Sequence, residues 1–130
     1  MILDTNFLFI PSKFGIDIFE ELERLFEGRV KCIVPTTVIE ELRVLRSKAK
    51  PSMVKKIDFA LSLTEKCELK QVEEFKKRTV DDSIIRLAKK LECPVATNDS
   101  ELKHVLINEK IPVIYLRQKD HLEITRADMV

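Results

Sequence analysis

Two phrases in the chain end a short apolar run close to an aspartate. "MILDTNF" reaches Asp4 after three residues, and "VATNDSEL" reaches Asp99 just past Val95, Ala96 and Thr97. Two more phrases open helical patterns on adjacent acids: "TTVIEEL" carries Glu40 and Glu41, and "TVDDSII" carries Asp81 and Asp82. Carboxylates brought together repel one another and push their pKa values up. A divalent cation cancels that repulsion, and hard oxygen ligands without His or Cys suit Mg²⁺ or Mn²⁺. Thr5, Asn6, Thr97 and Asn98 stand beside the two aspartates and offer neutral oxygens or hydrogen bonds to hold them. An acid-rich Mg²⁺ site of this kind acts on phosphates, where the ion activates a water and stabilises the leaving oxygen. No glycine-rich phosphate loop is present, which argues against nucleoside triphosphate binding of that type.

Helix capping is the competing explanation for each acid. Asp is a favoured N-cap, so Asp99 or Asn98 alone could simply cap the helix that follows. Thr37-x-x-Glu40 and Thr79-x-x-Asp82 both read as capping boxes. They absorb Glu40 and Asp82 and leave Glu41 and Asp81. On a wheel at about 100° per residue, Val38, Leu42 and Leu45 share a face, with Glu41 at its edge. Asp81 falls among Val80, Ile84 and Ala88. A carboxylate aimed toward a core costs free energy unless it has a partner, so these two are the members that capping leaves unexplained.

The elements that must position the acids alternate along the chain. "MIL", "VKCIV", "CELKQVE", "PVATN" and "IPVIYLR" read as strands, and "HLEIT" as a last edge strand. Between them, helical spacing runs through "IDIFEELERLFEG" with Gly28 as its stop, "TTVIEELRVLRSK", "PSMVKKIDFALSLTEK" with Pro51 at N1, "TVDDSIIRLAKKLE" and "DSELKHVLINEK". Strands alternating with helices argue a parallel sheet covered on both faces. In such a sheet ligands bind at the carboxyl ends of the strands, near the point where strand order reverses. Asp4 and Asp99 would share one crevice there if their strands are neighbours. The basic stretch "RSKAKPSMVKK" reads as the most loop-like part of the interior.

The 130 residues suffice for one domain with a sizeable core but not comfortably two. Charged residues are 35% of the chain yet almost balance, at a net charge of +1, so attraction to nucleic acid must come from local patches. Cys32, Cys67 and Cys93 are far apart in sequence and form no metal-binding pattern with His104 or His121. They read as reduced intracellular thiols. No leader and no apolar run of about 18 residues is visible, so a soluble, cytoplasmic protein without a membrane partner is expected.

The ordered set "DTNF", "VPTTVIEEL", "VDDSIIRLA" and "VATNDSEL" resembles the PIN-domain family of metal-dependent ribonucleases. The resemblance covers nearly the whole chain and implies a three-layer α/β/α sandwich with a central parallel sheet, a single PIN-like nuclease domain over residues 1–130. It carries the family's acids onto Asp4, onto Glu41 next to Leu42, onto Asp81 with Ile84 and Ala88 following, and onto Asp99. Asp82 could share the third role. These four would be both the catalytic set and the ligands of Mg²⁺ or Mn²⁺, with Thr5 and Asn6 bracing them. The implied reaction is in-line attack of water on phosphorus in single-stranded RNA, leaving 5′-phosphate and 3′-hydroxyl ends.

"DTNF", "DDSI", "VATNDSELK" and "IPVIYLR" are most similar to the branch that cleaves precursor ribosomal RNA during small-subunit maturation. The alternatives are the toxin branch of toxin–antitoxin pairs and a non-catalytic RNA-binding PIN domain. The chain lacks the zinc ribbon and N-terminal extension of larger rRNA-processing relatives, so a protein partner would supply targeting; a homodimer is also expected. Candidate contacts to RNA are Lys48, Lys50, Lys55 and Lys56 in the basic stretch, with Lys103 and Arg117 nearer the sheet end, each weighed against an ordinary solvated charge.

Overall fold

The computed structural model describes residues 1–72 and 80–125. Among them lie six strands: β1 (Ile2–Leu3), β2 (Ile33–Pro35), β3 (Glu68–Lys70), β4 (Val95–Ala96), β5 (Val113–Arg117) and β6 (His121–Ile124). They form one sheet in the order β3-β2-β1-β4-β5-β6. Every pairing is parallel except β5 with β6. The helices are α1 (Ile10–Phe14), α2 (Ile18–Phe26), α3 (Thr36–Lys48), α4 (Pro51–Leu63), α5 (Val80–Leu91) and α6 (Ser100–Asn108), making the expected α/β sandwich. No helix among the described residues is long and apolar enough to cross a membrane.

The central strands are short because almost every residue in them is buried. Ile2, Leu3, Val34, Val95, Ala96, Val113 and Ile114 are all fully inaccessible, the continuous apolar run of strands covered on both faces. The chain moves outward from β1 to β2 and β3, then returns to the other side of β1 with β4. The switch in strand order therefore falls between β1 and β4, where ligand crevices open in such sheets. Ile2 pairs with Val95 and Leu3 with Ala96, so the residues after each strand leave the sheet side by side.

Several local expectations change. The turn after "MILDT" is a short 3₁₀ segment, Asn6–Phe9, running into α1, and helical spacing over so few residues gave no signal. Gly28 is not the left-handed residue ending α2. Glu27 is, at φ 54°, and Gly28 donates its N–H back to Glu23 O (3.0 Å), closing a helix end of the Schellman type. The Thr37–Glu40 capping box does not form. The N-cap of α3 is Pro35, without a side-chain cap bond. Thr37 already lies inside the first turn, and its hydroxyl meets Ser83 Oγ on α5 (3.0 Å) instead. Thr79, proposed for the other box, lies outside the described residues. The basic stretch is mostly helical: Lys48 ends α3, Lys50 is the N-cap of α4, and Lys55 and Lys56 lie within α4.

The antiparallel edge is closed by side chains. Leu122 N on β6 donates to Glu21 Oε1 (3.2 Å), and Arg24 Nη2 on α2 donates to Leu122 O (3.2 Å). Covering an edge strand in this way keeps it from pairing with another chain. At the start of the same helix, Asp17 accepts hydrogen bonds from Phe19 N (3.0 Å) and Glu20 N (3.2 Å). Replacing Asp17 by Ala should lower unfolding free energy by about 1 kcal/mol, measured by denaturant titration at neutral pH.

Candidate functional site

Asp4 follows β1 directly and is only 4% exposed. Three donors hold its carboxylate. Thr5 N reaches Oδ1 (2.8 Å), while Asn6 Nδ2 (3.1 Å) and Thr97 Oγ1 (2.7 Å) reach Oδ2. Thr97 is fully buried and follows β4. Its hydroxyl also accepts from Asp99 N (3.1 Å), linking the two aspartates through one oxygen. Asn6 Oδ1 completes the brace by accepting from Asn98 N (2.9 Å). Asn98 thus contributes its backbone, and its side chain is exposed.

Glu41 sits half-buried in the second turn of α3, next to buried Leu42, while Glu40 is exposed. Thr5 Oγ1 donates to Glu41 Oε2 (3.3 Å), so Thr5 serves Asp4 with its backbone and Glu41 with its side chain. Asp81, in the first turn of α5, is half-buried and Asp82 is exposed, as the wheel argument anticipates. Leu45 departs from it, being 44% exposed. Asp99 caps α6, accepting from Glu101 N through Oδ1 (2.9 Å). The capping explanation is therefore correct for that oxygen, and Oδ2 stays outside the capping bond.

Asp4, Glu41 and Asp81 are each perturbed by neighbouring acids. Burial raises the Asp4 pKa most, the bonds from Thr97 and Thr5 oppose it, and the charges of Glu41 and Asp99 add to it. Glu41 is raised by burial and by Asp81, against the bond from Thr5. Asp81 is raised by burial, then by Asp4, Asp99, Asp82 and Glu101. Among the described residues, the charges that raise these three carboxyls come from other carboxylates. Glu101 is a member that sequence reasoning missed, although it stands two residues past Asp99 in "NDSEL". The Thr37–Ser83 pair, which joins the helices carrying Glu41 and Asp81, was missed too and has no pattern in the sequence.

A divalent cation fits this donor set on its chemistry: hard oxygens, partly withdrawn from water, whose mutual repulsion a cation relieves. The acids stand as neighbours around the crevice. Among the described residues no three Asp, Glu, His or Cys side chains already close round a common point.

The basic candidates divide. Lys48 and Lys56, joined by Lys13, rim a groove floored by Phe9, Leu45, Ala49, Met53 and Ile57. Glu41, Leu45 and Lys48 recur at helical spacing on one face of α3, so this groove begins one turn from Glu41. Lys50 and Lys55 are exposed beside it in sequence and do not line it. Lys103 lies over the Tyr115 ring, 3.5 Å from its centre. Arg117 is engaged by Glu123 (3.0 Å), which also accepts from Tyr115 Oη (3.4 Å) and faces His121 Nε2 (3.0 Å).

A family model described as a PIN-like domain matches residues 1–119. Ribonuclease VapC4 of Methanocaldococcus jannaschii is 34% identical over 93% of this chain and 92% of its own length. Ribonuclease VapC9 of Archaeoglobus fulgidus is 28% identical over 98% and 90%. The solved PIN-domain endonuclease Utp24 superposes with a TM-score of 0.80 at 26% identity, covering 96% of this chain and 90% of that one. A domain of a functionally unknown Methanocaldococcus jannaschii protein shares the fold, with a TM-score of 0.63 and 19% identity.

A carboxyl whose pKa is raised on folding favours the folded state at low pH, because the native protein binds the proton more tightly. For Asp4 that contribution is present below about pH 4 and is lost as pH rises through the raised value. In chelator, the melting temperature of wild type should therefore fall relative to Asp4→Asn between pH 4 and pH 8. Added Mn²⁺ should narrow the gap at pH 8. Parallel pH profiles by differential scanning fluorimetry check both.

Proposed function

The chain belongs to the PIN-like domain family, and on that premise we propose that it is a divalent-metal-dependent endonuclease of single-stranded RNA. The observation that carries this reading is the mutual perturbation of Asp4, Glu41 and Asp81 at the β1–β4 switch point, with Asp99 beside them. Two relatives named as ribonucleases and one named as a PIN-domain endonuclease support it. A bound Mg²⁺ or Mn²⁺ would supply water activation and neutralise charge on the phosphate.

The protein's own part is to hold the ligands in place. Asp4, Glu41, Asp81 and Asp99 are the proposed metal-binding and catalytic acids. Thr5, Asn6 and Thr97 fix Asp4 and exclude water from behind it, so the carboxylate keeps its direction when the crevice fills. Asp82 stands at the rim beside Asp81. The groove of Lys13, Lys48 and Lys56 offers cations to phosphates on one side, and its apolar floor offers contact area to bases, the combination used by proteins that track single strands.

The substrate we favour is precursor ribosomal RNA, on the sequence motifs shared with that branch. A second reading, a toxin-type ribonuclease cleaving mRNA or tRNA, is supported by the kinship with two ribonucleases of the VapC name. The two part in the cell: the first predicts accumulation of unprocessed small-subunit RNA on depletion, the second growth arrest on expression without a neighbouring antitoxin.

Purified protein should cleave a fluorescent single-stranded RNA only with Mg²⁺ or Mn²⁺. Asp4→Asn and Asp99→Asn should each slow cleavage by about a hundred-fold or more, the order expected for losing a group that stabilises transition-state charge. Equal rates for wild type and variants would remove these acids from the active site. Lys48→Ala with Lys56→Ala should leave kcat close to wild type and weaken RNA binding. Each lost phosphate contact should lower the slope of log affinity against log salt by about 0.7, read by fluorescence anisotropy at several salt concentrations.

A further inference from the structure

The fold brings together two cysteines that lie far apart in the sequence. β2 and β3 pair in parallel, with Ile33 opposite Glu68, and Glu68 N donates to Cys32 O (2.9 Å). One step back along the same register, Cys32 stands opposite Cys67. Residues opposite one another on neighbouring strands project to the same face, with the strands about 4.8 Å apart. That spacing lies within the roughly 4.4–6.8 Å that a disulfide spans between Cα atoms.

Each thiol is set by a carbonyl of its own segment: Cys32 Sγ is 3.9 Å from Val30 O and Cys67 Sγ 3.7 Å from Leu63 O. The two side chains lie close enough that each perturbs the titration of the other. Cys32 is buried and Cys67 is partly exposed. Cys93 precedes β4, which β1 separates from β2.

We propose that Cys32 and Cys67 are a dithiol–disulfide pair, oxidised by a small disulfide of the glutathione class, that staples edge strand β3 to β2. The reagent RSSR reaches the more open Cys67, whose sulfur bonds one reagent sulfur while the other leaves as RSH. The Cys32 sulfur then attacks the Cys67 sulfur and the second RSH leaves with the remaining proton. Two electrons pass from the cysteine pair to RSSR, and a Cys32–Cys67 bond replaces the S–S bond of the reagent. The staple closes segment 32–67, which contains α3 with Glu41 and the α3–α4 side of the lysine-rimmed groove, including Lys48 and Lys56.

The full chain, incubated with glutathione disulfide, alkylated and digested, should yield a peptide joining Cys32 to Cys67, with Cys93 still alkylated. Its melting temperature should rise by roughly 10 °C and return on reduction. Cys67→Ser should abolish the link and the shift, and Cys93→Ser should leave both intact. The proposal is overturned if all three thiols stay alkylatable, if only glutathione adducts form, if the link involves Cys93 or a second chain, or if the linked protein melts no higher than the reduced one.

Discussion

The rest of the crevice depends on how Asp4 is kept ionisable in a place that excludes water. A buried carboxylate without donors would be expensive, and Asp4 is almost wholly buried. Thr5 N and Asn6 Nδ2 come from its own turn, while Thr97 Oγ1 comes from the neighbouring strand. The third donor exists only because β1 and β4 are adjacent and in register. Hydrogen bonds to charged groups contribute about 1.5–3 kcal/mol each, which offsets part of the desolvation and explains why Thr97 is buried with it. Strand order and site chemistry are thus one constraint.

Helix direction adds a second contribution. Asp81 lies in the first turn of α5 and Asp99 caps α6, with Glu41 a turn further into α3. A helix N-terminus carries partial positive charge, and an acid near one gains about 0.3–1 kcal/mol. The crevice therefore gathers negative side chains and positive helix ends together. For Asp99, one oxygen serves the helix and the other stays outside the capping bond. The residual repulsion among the acids marks a place where local stability is given up, as at sites built to receive a counter-charge.

Much of this was legible because it rests on local patterns. Continuous apolar runs marked the buried strands, and the limits of α3 followed from helical spacing alone. The choice of Glu41 over Glu40 and Asp81 over Asp82 came from which face each occupies, and exposure agrees with it. What sequence could not carry was contact between distant elements. Thr37 looked like a cap and is a partner of Ser83. Leu45 looked like core and floors a groove. Lys103 and Arg117 looked like free cations until the sheet placed Tyr115 and Glu123 against them. Cys32 and Cys67 became neighbours only through the register of β2 and β3.

The tie between Thr37 and Ser83 has a consequence for how the crevice responds to its medium. It joins α3 to α5 through two hydroxyls, neither of which titrates near neutrality or is screened by salt. Acidification changes the charge carried by Glu41 and Asp81, yet the hydroxyl pair between their helices does not titrate with them. The contact that ties the two acid-bearing helices together is thus uncharged, whatever charge the acids themselves carry.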